Sequence, residues 1–260
     1  MNKKILFVIL FSFAFSQSEQ PYPPLNLVTV PTAGTMPKGY YSFENVFMNK
    51  GSIVPKFTIG ITDNFTLGVS FGISNFIGNG KIKKYKSYPE VQIKYRIFDE
   101  TENSPALVLG LDTQGKGEFY EKYLSLPLNR YEHKSFGLYL VMSRNWNLLG
   151  NFGFHFGINK NLTESEDRDD DINLFLGFDK ELNKSFSLYC EYNFSRDDDK
   201  FNDDIDDIIL RKGNGYLNGG LRWSASSSLM LEINISDIQK NNKNSDALNR
   251  ELKIIYFEQF

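Results

Sequence analysis

Few residues of this sequence stand in arrangements that chemistry can use. His133-Lys134-Ser135 sets an imidazole and a hydroxyl two positions apart, the pair of groups from which an activated nucleophile is built. The other histidine, His155 in GFHFG, has no Cys and no second His nearby, which makes it a poor metal ligand. Carboxylates crowd two runs, SEDRDDD at 165–171 and RDDDKFNDDIDD at 196–207. Their oxygens suit Ca²⁺. Neither run has the residue order of a dedicated calcium loop, so both read as solvated, mobile charge runs. GNGK at 78–81 lacks the rest of a phosphate-loop pattern. No metal and no cofactor is expected.

What must position these groups is an alternation of period two. In FTLGVSFGIS (65–74), Phe65, Leu67, Val69, Phe71 and Ile73 share one face and Thr66, Gly68, Ser70, Gly72 and Ser74 the other. EVQIKYRI (90–97) sets Val91, Ile93, Tyr95 and Ile97 against Glu90, Gln92, Lys94 and Arg96. Such alternation marks a strand between an apolar and a polar environment. Twelve segments follow it, near 40–48, 52–61, 65–75, 88–98, 105–113, 134–143, 148–158, 172–180, 185–195, 215–223, 228–237 and 250–260. Most are close to the about 9–11 residues of a tilted strand that crosses a bilayer.

The connections alternate too. Short ones fall at 62–64, 99–104, 144–147, 181–184 and 224–227, and longer polar ones at 76–87, 114–133, 159–171, 196–214 and 238–249. Only the first, Asn49 to Gly51, is short where a long one is due. An even strand count with short periplasmic turns and longer external loops is the pattern of an outer-membrane barrel. An exported soluble β-sandwich also alternates, but the loop parity and an aromatic last residue favour the barrel.

The N-terminus fits export. Lys3 and Lys4, the apolar run Ile5 to Phe15, and Ala14-Phe15-Ser16 form a secretory signal peptide, with cleavage expected after Ser16. No Cys lies near that point, so a lipoprotein anchor is not expected. Losing two lysines leaves 27 bases against 32 acids, a net of −5, which argues against nucleic acid as a partner. The single Cys190 has no internal disulfide partner and reads as a buried or lipid-facing apolar residue.

With the apolar parity toward lipid, the other parity brings Glu44, Lys56, Glu90, Lys94, Arg96, Asp179, Glu191, Arg222, Glu232, Glu251 and Lys253 into the lumen. Mixed signs are tolerable there when the charges pair or stay hydrated. They fit a salt-bridged interior or a narrow aqueous pore. The expected fold is all-β: a single antiparallel transmembrane β-barrel of about twelve strands over 39–260, preceded by a segment, 17–38, at the periplasmic mouth. That segment holds Leu25, Leu27, Val28 and Val30, which need burial, and Pro23, Pro24, Pro31 and Pro37, which disfavour a helix. Thr66 and Gly68 leave space for it at the mouth.

Three resemblances bear on partners and activity. The ending ELKIIYFEQF, with Tyr256 and Phe260 on the lipid parity, resembles the C-terminal signal that the outer-membrane barrel-assembly machinery reads, except that Glu258 stands where an apolar residue is usual. His133-x-Ser135 resembles the motif of outer-membrane phospholipase A and the lipid A deacylases, where the His acts as base toward a Ser nucleophile. Those families place Asn after the Ser, and here it is Phe136. The phospholipase's orienting Asn would correspond by spacing to Asn147, about 30 Å away at the opposite end of a strand, whereas Asn159 lies at the correct end. PPLNLVTVPTAGTMPKGYY (23–41) resembles the N-terminal lead-in of the YjbH-like barrel group, which implies an outer-membrane location and a link to surface polysaccharide export. The expectation is therefore a binding, structural or passive-transport barrel and not an enzyme, with membrane lipid, the assembly machinery and a polysaccharide as partners; a lipid hydrolase using His133, Ser135 and Asn159 is the alternative.

Overall fold

A computed structural model describes residues 22–123, 126–167, 169–198, 214–241 and 249–260; the expected signal peptide lies outside them. In chain order the strands are β1 (Tyr40–Met48), β2 (Ser52–Thr62), β3 (Phe65–Ser70), β4 (Ile73–Ser74), β5 (Lys83–Lys84), β6 (Glu90–Phe98), β7 (Ala106–Asp112) and β8 (Lys116–Tyr123). They continue as β9 (Leu126–His133), β10 (Gly137–Asn147), β11 (Asn151–Lys160), β12 (Asn173–Glu181), β13 (Phe186–Asn193), β14 (Tyr216–Ser224), β15 (Leu229–Ser236) and β16 (Asn249–Gln259).

Among the described residues twelve of these strands close an antiparallel barrel, each paired with its neighbour in sequence. Closure is made by β1, which pairs with β2 on one side and with β16 on the other, from Tyr40↔Gln259 to Phe47↔Leu252. The last residues are thus held in a ladder, with Phe260 N–H donating to the Gly39 carbonyl at 2.9 Å. No sheet edge is left in the ring, as a hydrocarbon surround demands.

The strands wear their apolar side outward. Phe43, Phe57, Val69, Tyr95, Leu109, Phe154, Ile233 and Leu252 are exposed, while Lys94 (0% exposed), Glu232 (0%) and Glu191 (1%) are buried inside. A soluble domain would invert that arrangement; this barrel spans a lipid bilayer, and its place is the outer membrane. Near the periplasmic turns aromatic rings pair along the outer wall: Phe186 stacks on Trp223 at 6.0 Å, Trp146 lies 6.2 Å from Phe152, and Phe152 lies 6.0 Å from Phe178. They form one girdle of the lipid-facing band.

Three expectations differ from the structure. The strand expected over 65–75 breaks after Ser70 into β3 and the short β4, which pairs with β2 and β5. The turn assigned to Arg144–Asn147 is strand, since β10 runs on to pair Asn147 with Asn151. The turn is Leu148–Gly150, with Leu149 at φ 53°. The external connection 114–133 is not irregular: β8 and β9 pair as a hairpin, with Tyr120 opposite Arg130.

Candidate functional site

The interior is built around residues 22–38. Asn26 and Pro31 bridge, and Leu27 N–H donates to the Val30 carbonyl at 2.9 Å. This turn leaves three successive N–H groups pointing one way, a ready cradle for an anion. The anion is Glu191 on β13. Its carboxylate accepts from Val28 N–H at 2.8 Å, Thr29 N–H at 3.0 Å and Val30 N–H at 2.9 Å, and also from the Thr29 hydroxyl and the Asn218 amide. On the opposite wall Lys94 of β6 donates to the carbonyls of Leu25, Thr32 (3.0 Å) and Gly34 (3.1 Å). Ala33 N–H donates to Ser143 Oγ and Met36 N–H to Thr66 Oγ1, both at 2.8 Å. Arg222 reaches the Asn26 carbonyl at 3.3 Å, and Arg96 the Ala33 carbonyl at 3.4 Å.

Apolar packing completes the plug. Leu27 and Val28 meet Tyr189; Val30 and Ala33 meet Val108, Phe136, Tyr139, Val141 and Phe175; Tyr22 and Met36 meet Met230, Ile255 and Phe257. Each fully buried Val or Leu of this kind contributes about 1.5–3 kcal/mol. Gly60 on β2 marks where the segment leaves the lumen, because a Cβ there would lie 2.0 Å from the Pro37 carbonyl oxygen. These inward apolar residues were not singled out from sequence. Their signal is that both parities turn apolar in LYLVM (138–142) and IIYF (254–257).

The charged residues of the inward parity fall into separate groups. Glu232 binds Arg222 at 2.6 Å and Lys253 at 3.0 Å, and Lys253 also lies 3.9 Å from Glu44. Lys56 is 3.8 Å from Asp112. Asp179 bonds His155 Nε2 at 2.8 Å, and His155 Nδ1 meets Ser143 Oγ at 2.7 Å, so this polar chain ends on the plug's Ala33 N–H. Arg96 pairs with Asp99 toward the periplasmic rim at 3.2 Å. Glu251 pairs with Lys116 of β8 at 2.7 Å. Glu90 sits under the external hairpin, accepting from the Tyr131 hydroxyl at 2.7 Å and pairing with Lys86 at 2.6 Å.

Above the plug lies a cavity of about 240 Å³. Asn26, Val28 and Thr29 floor it; Glu44, Asp112, Asn159, Asn173, Asn218 and Lys253 are among its walls. Over it the external segments are knotted by charge. Arg130 pairs with Asp167 at 2.7 Å and Asp198 at 2.8 Å, and Lys134 pairs with Asp167 at 2.6 Å. Lys134 also donates to the Asp197 carbonyl at 2.7 Å. The acidic runs are therefore solvated only in part: Asp169, Asp197 and Asp198 are buried, because two cations from the neighbouring strand end draw them in, while Glu166, Asp170 and Asp171 stay exposed. Residues 199–207 of the second run lie outside the described residues. Burial, with Asp198 beside it, pushes the Asp197 carboxyl up to about 7. Among the described residues no cluster of His, Cys, Asp and Glu could hold a metal ion.

The hydrolase constellation does not assemble. Ser135 Oγ donates to Glu164 Oε1 at 2.6 Å and accepts from the Asn161 amide at 3.1 Å. The His133 ring packs on Tyr216 with centroids 4.5 Å apart, and burial pulls its pKa down. Asn159 donates to the Phe136 carbonyl and accepts from Asn173, both at 2.9 Å. Glu164, which the sequence did not flag, takes the place of a base toward Ser135 and also accepts Tyr131 N–H at 3.0 Å; it staples two external segments.

No protein-family model matches the chain, and no curated protein matches it. Among solved structures, the KdgM porin superposes with a TM-score of 0.50 at 10% identity, over 84% of this chain and 98% of the porin. The same porin in complex with disordered oligogalacturonate gives the same values. The NanC porin gives a TM-score of 0.43 at 10% identity, over 84% of this chain and 99% of that one. At such identity the likeness to KdgM is one of fold, and it is the likeness of a closed antiparallel outer-membrane barrel.

Proposed function

We propose that the protein is a gated outer-membrane channel, closed at rest by its own N-terminal segment and open to small polar solutes through the external cavity. The observation that carries this reading is how the plug is held. The wall's grip on it is directed at backbone N–H and C=O groups, by Glu191, Ser143 and Thr66 on one kind and by Lys94, Arg96 and Arg222 on the other. The Ser143 and Thr66 bonds are neutral, at roughly 0.5–1.5 kcal/mol each, and the charged ones contribute about 1.5–3 kcal/mol each, yet all of them are made to groups that water can satisfy when the segment moves.

The porin fold of the structural neighbours supports passage rather than chemistry. One neighbour is described with oligogalacturonate, an acidic sugar chain. Here Glu44, Asp112 and Glu251 offset Lys56, Lys116 and Lys253 around the cavity, so a neutral or cationic solute suits it better than a polyanion. The segment whose sequence resembles the YjbH-like lead-in is the one that forms the plug, and an accessory role in surface polysaccharide export belongs with this reading. Planar-bilayer recording tests it. The mature chain is expected to be nearly silent and the deletion of 21–35 to give large steps; a wild type that conducts like an open pore, unchanged by the deletion, would overturn it. Ser135→Ala is expected to leave any fatty-acid release from mixed micelles at background, as in wild type.

A further inference from the structure

The plug does not fill the lumen evenly. A second, smaller cavity of about 20 Å³ lies beside it, bounded by Tyr22, Leu25 and Asn26 of the plug and by Lys56, Gln92 and Ile255 of the wall. That exceeds the about 10–15 Å³ one water needs. Gln92 is 2% exposed, and its Oε1 has no protein partner; nor has Asn26 Oδ1. Both residues border this cavity, so the site supplies acceptors that water would satisfy. The large and small cavities share Asn26, Glu44, Lys56 and Lys253 as lining residues. The two cavities therefore adjoin at these side chains, beside the β1–β2–β16 wall.

Toward the periplasm the small cavity meets an apolar seal: Tyr22, Met36, Met230, Ile255 and Phe257. Tyr22 stands edge-on to Phe257 with centroids 5.4 Å apart. Its hydroxyl bonds Ser42. The wall bonds described above begin at the Leu25 carbonyl and run to Met36. The Pro24 carbonyl, by contrast, accepts from Thr32 within the plug itself. Moving residues 22–24 therefore breaks the Tyr22–Ser42 and Thr32–Pro24 bonds and the Tyr22 packing, while the wall bonds of 25–36 remain made.

We propose that a hydrated passage runs past the plug along this wall, with Glu44, Lys56 and Lys253 at its neck and Tyr22 as its gate, sized for water and small ions. This rests on the gated-channel reading and narrows it: the first opening needs only the end of the plug to move. Glu44 lies 3.9 Å from Lys253, which binds Glu232 at 3.0 Å, and the Glu44 side chain keeps 20% of its exposure. An ion in the neck therefore meets the Glu44 charge.

The experiment uses the mature chain in planar bilayers under a KCl gradient. Tyr22→Ala is expected to raise small-ion conductance severalfold, while amides 28–30 keep their protection in hydrogen exchange. Adding Glu44→Gln should shift the reversal potential toward the anion side. Conductance equal to wild type in Tyr22→Ala, a rise accompanied by lost protection at 28–30, or a reversal potential unmoved by Glu44→Gln would each overturn the side passage. The deletion of 21–35, run in parallel, separates the two ideas. Large steps in the deletion with a silent Tyr22→Ala remove the passage and leave the gated channel, and silence in both removes both.

Discussion

Val28 N–H donates to Glu191 Oε2 at 2.8 Å across 163 residues of sequence, and that contact ties the N-terminal turn to the far wall of the barrel. Thr29 and Val30 N–H groups share the same carboxylate. A charged acceptor is what makes the cradle worthwhile, since bonds to ionised groups contribute about 1.5–3 kcal/mol each against about 1 for neutral ones. Glu191→Gln keeps the shape but removes the charge and turns one acceptor into a donor. We expect a loss of roughly 3 kcal/mol, seen as a lower thermal unfolding midpoint, and fast hydrogen exchange at 28–30. Unchanged exchange at those amides would show that the turn is held by packing alone.

Lys94 makes the complementary prediction. Its ammonium sits among the carbonyls of Leu25, Thr32 and Gly34 with no exposed surface. Lys94→Met keeps the stem and strands the carbonyls, at a cost of about 1–3 kcal/mol. Lys94→Arg should not rescue it, because a planar fork cannot aim three donors from one nitrogen at three acceptors. Thermal melts of the folded barrel in detergent are expected to rank wild type above both variants; an arginine variant as stable as wild type would contradict the geometry.

The strand set could be read from the sequence because a barrel in lipid has one rule per strand: apolar out, polar in. Leu252, Ile254 and Tyr256 against Glu251 and Lys253 show it without any tertiary knowledge. The plug's contacts could not be read that way. Glu191 and Lys94 appear in sequence as two more inward charges, and nothing local says that one will meet N–H groups and the other carbonyls of a segment far along the chain. Val141, Phe175 and Phe257 break the inward polarity only because that segment packs on them. The acidic runs misled for a related reason. Their partners, Arg130 and Lys134, lie on another external segment, and charge counting along one segment cannot foresee a pairing across two.

That external knot carries a pH prediction. The Asp197 carboxyl holds its proton up to about 7 in the folded loop, because it is buried and lies beside Asp198, against 3.8 for the unperturbed group. Between those values folding takes up a proton, so the loop's stability falls as pH rises through the window and levels off above it. Limited proteolysis of the external segments should be slower at pH 5 than at pH 8. Asp197→Asn should remove most of that difference by mimicking the protonated form. A variant with the wild-type pH profile would assign the effect to another group.

At the periplasmic rim Glu258 faces outward, on the parity of Leu252 and Tyr256, where the assembly signal would have an apolar residue. The tyrosines beside it resolve the mismatch: the Tyr41 and Tyr256 hydroxyls both donate to Glu258 Oε2, at 3.1 and 2.6 Å. Phe260 lies next to Tyr41, with ring centroids 6.3 Å apart, so the carboxylate is capped by phenols within an aromatic belt at interface depth, where such a charge is cheap compared with the midplane. Replacing both tyrosines by Phe strands the carboxylate among rings. Folding of that double variant into lipid vesicles should slow markedly, and adding Glu258→Leu should restore the rate, because the apolar surface is then continuous. Deleting Phe260 should slow folding in every background, since it removes girdle area whether or not the charge is capped. Equal slowing of the double and triple variants would mean that the tyrosines act through their own place at the interface and that Glu258 contributes nothing through them.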